Sequence, residues 1–273
     1  MQILCILPSI YKFFDMNIEN SIKVGYNFKM SQYFSDGFNI FKKDLGNFVG
    51  FGVVALIINI LSKYLPLIGY VIGLLLTPLY AGFYVVANKI ENNEPYEFQT
   101  FFEGFHRAFE MIIATIIKLV FSTIIILPII FLFAYSVIMS AISLTNNTES
   151  METLFAILLI LIPVFFMALG VFIIFAPLLI WTDLIILFSD KYKAWDSIVL
   201  SFKLTLKNYF PILIFVIILA LLNLLGLCFF GLGLLFTIPL TYCIFYSAFK
   251  DIVNLNGKED VDIDDLLVTD DLV

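Results

Sequence analysis

The chain has 273 residues, 62% of them apolar and 14% charged, with a mean hydropathy of +1.03 and a formal charge of −7. Soluble domains carry about a quarter charged residues, so the composition excludes an ordinary water-soluble domain, and the acidic balance argues against a nucleic-acid-binding surface. Stretches 119–148, 154–182 and 208–249 hold no charged side chain. About 20 helical residues cross a hydrocarbon core of roughly 30 Å, so such runs predict an all-α polytopic membrane helix bundle.

In chain order, the opening residues MQILCILPSIYKFF lack the features of a signal peptide: no positive charge precedes the short apolar stretch and no small-residue cleavage site follows. Residues 1–32 are expected to form a cytoplasmic or interfacial segment, with Met1 and Met16 both open as the start. A single membrane domain over 33–253 follows. Six spans are the economical arrangement, near 47–62, 66–88, 111–135, 153–187, 211–227 and 230–250. Spans three and four are long and contain Pro128, Pro163 and Pro177, which predicts kinks or extension beyond the bilayer. Splitting both at these prolines gives an eight-span alternative, which puts the lysine-free turn 145–152 on the cytoplasmic side. Residues 254–273 are an acidic tail, expected to be solvated and disordered; docking of its interleaved Leu and Val onto a partner is the alternative.

Orientation follows from the excess of Lys and Arg in cytoplasmic loops. With a cytoplasmic N-terminus, thirteen of the 15 basic residues fall on the cytoplasmic side, Lys63 alone lies opposite, and Lys118 falls inside a span. Both termini are therefore expected in the cytoplasm, the protein being multi-pass in the cell membrane.

A shift of 161 residues aligns the first hairpin with the last, matching Phe41 with Phe202, Lys42 with Lys203, Asn47 with Asn208, Pro78 with Pro239 and Lys89 with Lys250. A fainter middle copy opens on FFEGF (101–105), resembling FSDGF (34–38). The repeat units are 33–90, 98–189 and 194–252, running parallel rather than inverted. Each opens on an amphipathic helix. Its apolar stripe is Phe34, Phe38, Phe41, Leu45 and Phe48 in the first copy, and Phe98, Phe101, Phe102, Phe105 and Phe109 in the second. In the third it is Trp195, Ile198, Val199, Phe202, Leu206 and Tyr209. These helices are expected to lie in the interface, aromatics toward the acyl boundary, or else to be the cytoplasmic ends of their spans. Gly46-Asn47 and Asn208 before Pro211 predict a bend between helix and span.

The stretch AWDSIVLSFKLTLKNYF (194–210), followed by GLGLLFTIPLTYCIFYSAF (231–249), resembles a widespread group of bacterial multi-pass membrane proteins. That group includes the membrane domain attached to some glycerophosphodiester phosphodiesterases. The matching positions are Ala194, Ser201-Phe202, Leu204-Thr205, Tyr209-Phe210, Gly231, Gly233 and Pro239. The resemblance covers the last third of the chain and implies a topology, not phosphodiesterase activity.

Candidate chemistry is sparse. Lys118 and Asp183 each lie roughly 10 Å inside a span, where an unpaired charge costs on the order of 2.5–3.5 kcal/mol. They are expected to pair across spans three and four, or else to snorkel separately. Asn59 and Asn223 are candidates for interhelical hydrogen bonds, and Gly69-x-x-x-Gly73 for close helix packing. His106 is the only histidine, and Cys5, Cys228 and Cys243 share no ligand spacing, so no metal site, cofactor or catalytic residue is expected. The expected function is non-enzymatic: a structural, assembly or accessory component acting through membrane lipids and protein partners. A small permease or channel using Lys118 and Asp183 is the alternative, and a lipid-active enzyme comes third.

Overall fold

The computed structural model describes residues 18–65, 68–146, 150–229 and 231–255, and among these every regular element is helical. The expectations about residues 1–17 (including the start site), positions 147–149 of the lysine-free turn, and the tail beyond Leu255 lie outside the described residues. The described residues form ten α-helices in the order α1 (Ile18–Val24), α2 (Met30–Lys43), α3 (Leu45–Tyr64), α4 (Ile68–Glu91), α5 (Ala108–Asn146), α6 (Ser150–Phe175), α7 (Thr182–Phe188), α8 (Ala194–Lys207), α9 (Tyr209–Cys228) and α10 (Leu234–Ile252). A 3-10 helix over Phe98–Arg107 leads into α5, and another over Ala176–Leu179 joins α6 to α7.

Among the described residues five segments are long and apolar enough to cross a membrane: Leu45–Tyr64, Ile68–Glu91, Phe98–Tyr135, Ile162–Phe188 and Tyr209–Cys228. The last predicted segment forms α10, whose Thr237, Pro239, Thr241, Ser247 and terminal Lys250-Asp251 leave it less apolar. α5 runs unbroken for 39 residues, about 58 Å at 1.5 Å per residue.

The helices close on one another at one end of the molecule. There α2 lies against α10, the 3-10 helix Phe98–Arg107 against α4, and α8 against Ala176–Leu179 and α7. Glycines permit the approach. A Cβ on Gly37 would meet Ile244 at 2.6 Å, while one on Gly104 would overlap the Pro78 carbonyl and one on Gly82 the Phe101 carbonyl. Without water to drive association, such small-residue contacts bring helices together through van der Waals packing. Of Gly69-x-x-x-Gly73 only the first makes such a contact: a Cβ on Gly69 would overlap the Ser62 carbonyl of α3, whereas one on Gly73 would meet nothing within 4 Å.

The second entry helix differs from expectation. It winds as a 3-10 helix, in which residues three apart eclipse. Phe101 and Gly104 therefore share one face and are buried against α4, while Phe102, Phe105 and Phe109 stay exposed. Phe101 stacks on Phe51 with ring centroids 4.5 Å apart and meets Phe48 edge-on at 5.6 Å. The other stripes divide as well: Phe41, Phe48 and Ile198 are buried, whereas Phe38, Leu45, Trp195 and Leu206 are exposed. The first bend falls at Asp44, just before Gly46-Asn47. Asp44 caps α3 by accepting from the Asn47 backbone N–H at 3.3 Å and from Asn47 Nδ2 at 2.7 Å. The other lies at Asn208, whose amide donates to the Tyr26 carbonyl at 2.7 Å.

Ion pairs gather at the closed end: Lys29–Asp251 at 3.0 Å, Lys250–Glu91 at 2.5 Å, Lys89–Glu94 at 3.2 Å, Arg107–Asp190 at 2.9 Å and Lys191–Glu19 at 2.9 Å. Solvent screening keeps each contribution to stability modest, but together they tie the helix ends into one register. The Tyr96 hydroxyl donates to Asp44 Oδ2 at 2.5 Å, and burial first, then the carboxylate, pushes its pKa up.

Candidate functional site

The site is built around an interruption. Pro177 lacks an N–H and its ring clashes with the preceding turn, and the helix begun at Ser150 gives way to 3-10 winding at Ala176–Leu179 before resuming as α7. Pro128 and Pro163, also expected to kink their helices, lie inside continuous α5 and α6. What distinguishes Pro177 is its neighbour. α8 presents Ser201 and Thr205, one turn apart and fully buried. The Ser201 hydroxyl donates to the Leu178 carbonyl at 3.0 Å and accepts from the Trp181 N–H at 3.2 Å. Thr205 donates to the Pro177 carbonyl at 3.3 Å, and Tyr209 OH to the Ile174 carbonyl at 3.0 Å. Non-helical backbone at membrane depth is tolerated only where protein groups satisfy it, and α8 with the first residue of α9 supplies them.

Asp183 sits in the first turn of α7, directly past this break. Lys118 lies ten residues into α5, about 15 Å along its axis. Lys118 Nζ is 2.7 Å from Asp183 Oδ1, with the two side chains 21% and 26% exposed. Spans three and four are thus joined by one charge-assisted hydrogen bond, which holds α7 to α5. Trp181 Nε1, Thr182 Oγ1 and Ser197 Oγ are buried nearby without a hydrogen-bond partner among the described residues.

Beside the pair opens a cleft of about 530 Å³ between α5, the end of α6 and α8. Phe121, Ile125 and Ile126 wall it on α5, Val171 and Phe175 on α6, and Ile198, Val199 and Phe202 on α8; Lys118, Ser122 and Lys203 are its polar members. A second opening, of about 650 Å³, lies on the ion-paired end and is lined by Asp36, Asn39, Lys42, Lys43 and Glu91.

Of the other expected polar contacts, Asn223 donates to Thr241 Oγ1 at 2.9 Å and joins α9 to α10. Between α4 and α5 the bond is Thr115 Oγ1 to Thr77 Oγ1 at 3.1 Å, which sequence analysis did not single out. Among the described residues no three His, Cys, Asp or Glu side chains converge as metal ligands.

Fold and site together define an all-helical protein with membrane-length apolar segments, clamped at one end and interrupted beside a Lys–Asp pair. No family model, curated protein or solved structure matches the chain.

Proposed function

We propose that this chain is a non-enzymatic, multi-pass component of the bacterial cytoplasmic membrane, structural or accessory in role, acting through lipid and partner contacts. Its helices make six crossings, α10 being the last, with the ion-paired end and both termini in the cytoplasm. The observation that carries the role is the lining of the cleft beside Lys118 and Asp183. A permeation path needs polar groups along its length, and beyond Lys118, Ser122 and Lys203 these walls are apolar.

The packing order favours a threefold repeat of entry helix plus hairpin. Each entry helix rests on the closing arm of the preceding hairpin, in cyclic order: Phe98–Arg107 on α4, α8 on the Ala176–Leu179 and α7 arm, and α2 on α10. Each closing arm carries a Pro-Leu pair, Pro78-Leu79, Pro177-Leu178 and Pro239-Leu240. The likeness to the membrane domain of some phosphodiesterases is offered as one of topology alone.

A small permease is the second possibility, favoured by one arrangement: a broken helix beside an ionic pair, with buried donors lacking protein partners, as broken helices line transporter sites. Reporter fusions at 91–97 and at 145–152 test the layout. Opposite compartments are expected, and a shared compartment overturns it. Solute uptake into reconstituted vesicles that Asp183→Asn abolishes would replace the accessory role with the permease.

A further inference from the structure

We infer that the cleft between α5, α6 and α8 holds one acyl chain of an anionic phospholipid, its phosphate held by Lys203. The inference rests on the membrane placement proposed above and specifies what the membrane supplies. A 530 Å³ volume falls within the range of small-ligand sites, roughly 300–1,000 Å³, and its walls are hydrocarbon along two turns of α5. Lys118, Phe121, Ser122, Ile125 and Ile126 recur at three- and four-residue intervals, so one face of α5 forms a continuous apolar trough with a single cation at its near end.

Charge decides the headgroup. Asp183 neutralises Lys118 at 2.7 Å, so Lys118 contributes no net charge, but an ammonium has three N–H donors and the ion pair engages one of them. Lys203 is exposed on α8 and makes no ion pair among the described residues. The cleft therefore presents one uncompensated positive charge and one neutral donor group above an apolar slot. Basic pockets between helices on the cytoplasmic side are suited to anionic headgroups, with about 1 kcal/mol per lysine near the surface. A zwitterionic lipid would fill the slot equally well and gain little from Lys203. A second protein helix would bury the Lys203 charge without a partner.

Trp195 makes this measurable. It stands exposed on the rim, its ring 6.2 Å from that of Phe121. The other tryptophan, Trp181, is fully buried, so Trp181→Phe leaves Trp195 as the sole indole. The full-length chain in that background is reconstituted into phosphatidylcholine vesicles containing either dibrominated phosphatidylglycerol or dibrominated phosphatidylcholine. Bromine on the acyl chain quenches an indole that it touches. The expected result is quenching of Trp195 at about fivefold lower mole fraction of brominated phosphatidylglycerol than of brominated phosphatidylcholine. Lys203→Gln should abolish that preference, and Ser122→Phe, which fills the slot, should weaken quenching by both lipids. Equal quenching by the two lipids, unchanged by Lys203→Gln, overturns the inference and leaves the membrane placement standing. An indole untouched by either lipid but quenched by aqueous iodide overturns the placement itself. Quenching that disappears as protein density rises puts a second copy in the cleft and likewise overturns the inference.

Discussion

α4 and α5 are successive membrane-length helices, yet 44% of the most apolar 18-residue stretch in α4 is buried against 6% of that within Phe98–Tyr135. The more buried helix is the less hydrophobic one. α4 carries Thr77, Tyr80, Gly82, Tyr84 and Asn88 on surfaces that meet neighbours, including an Asn88 Oδ1 that accepts from Tyr246 OH at 2.8 Å. The middle of α5 carries Ile124, Leu127, Ile130 and Phe131, all exposed. In water that surface would be driven inward. In lipid it has no such drive, because acyl chains are as apolar as leucine, and helices associate instead through small residues and polar bonds. Hydropathy therefore marks where the chain meets lipid, and small or polar residues mark where it meets itself.

Substitutions can break this contrast. Phe101→Ala removes a fully buried ring from the Phe48–Phe51–Phe83 cluster and should cost about 3–5 kcal/mol. Phe131→Ala, on the exposed face of α5, should stay within about 0.5 kcal/mol. Reversible unfolding of the two variants in mixed detergent micelles measures both, and equal losses would erase the distinction. Gly104→Val forces a side chain onto the Pro78 carbonyl and the Gly82 nitrogen and should cost about 3 kcal/mol. Gly170→Val meets nothing within 4 Å and should leave the midpoint unmoved.

Between those extremes lies the Lys118–Asp183 pair, which fastens the lipid-exposed helix to the packed end. Lys118→Met, Asp183→Asn and the double variant should show a coupling of about 1–2 kcal/mol, less than for a fully buried pair because both side chains retain some exposure. Additive losses would mean that the pair does not hold α7 to α5.

The smallest effect concerns α1. Lys191 donates to Glu19 at 2.9 Å, a bond that lowers the Glu19 carboxyl pKa and raises that of Lys191. The Glu19 contribution is present above the ordinary carboxylate range and lost as pH falls through its lowered folded value. The Lys191 share is lost as pH rises through its raised one. Amide exchange in α1 should quicken slightly at both extremes while α4 stays protected. Glu19→Gln should remove the acid limb and weaken the alkaline one, because Lys191 loses the carboxylate that raises it.

Particular residues show where the sequence was legible. The positions of α3, α4 and α9 followed from charge-free runs, because span length is fixed by bilayer thickness and helical rise. Lys118 and Asp183 were conspicuous because charge is scarce among such residues. The break at Pro177 was harder to read: three prolines interrupt spans three and four, and nothing local separates Pro177 from Pro128 or Pro163. The difference lies well downstream on α8, in Ser201 and Thr205, whose hydroxyls satisfy the carbonyls around that one proline. The 3-10 winding of Phe98–Arg107 was equally hidden, since its phenylalanines fit a helical stripe and only the contact of Gly104 with α4 selects the tighter turn.

Composition and charge placement by themselves determined that this is a helical chain with membrane-length apolar segments and charges gathered between alternate ones, because those properties depend on one residue at a time. Which proline breaks its helix, which phenylalanines leave the lipid, and that Lys118 meets Asp183 beside an apolar cleft were decided by tertiary structure. Each depends on what another helix brings within hydrogen-bond or van der Waals reach, and that pairing is set by close approach at a few glycines and hydroxyls rather than by hydrophobicity.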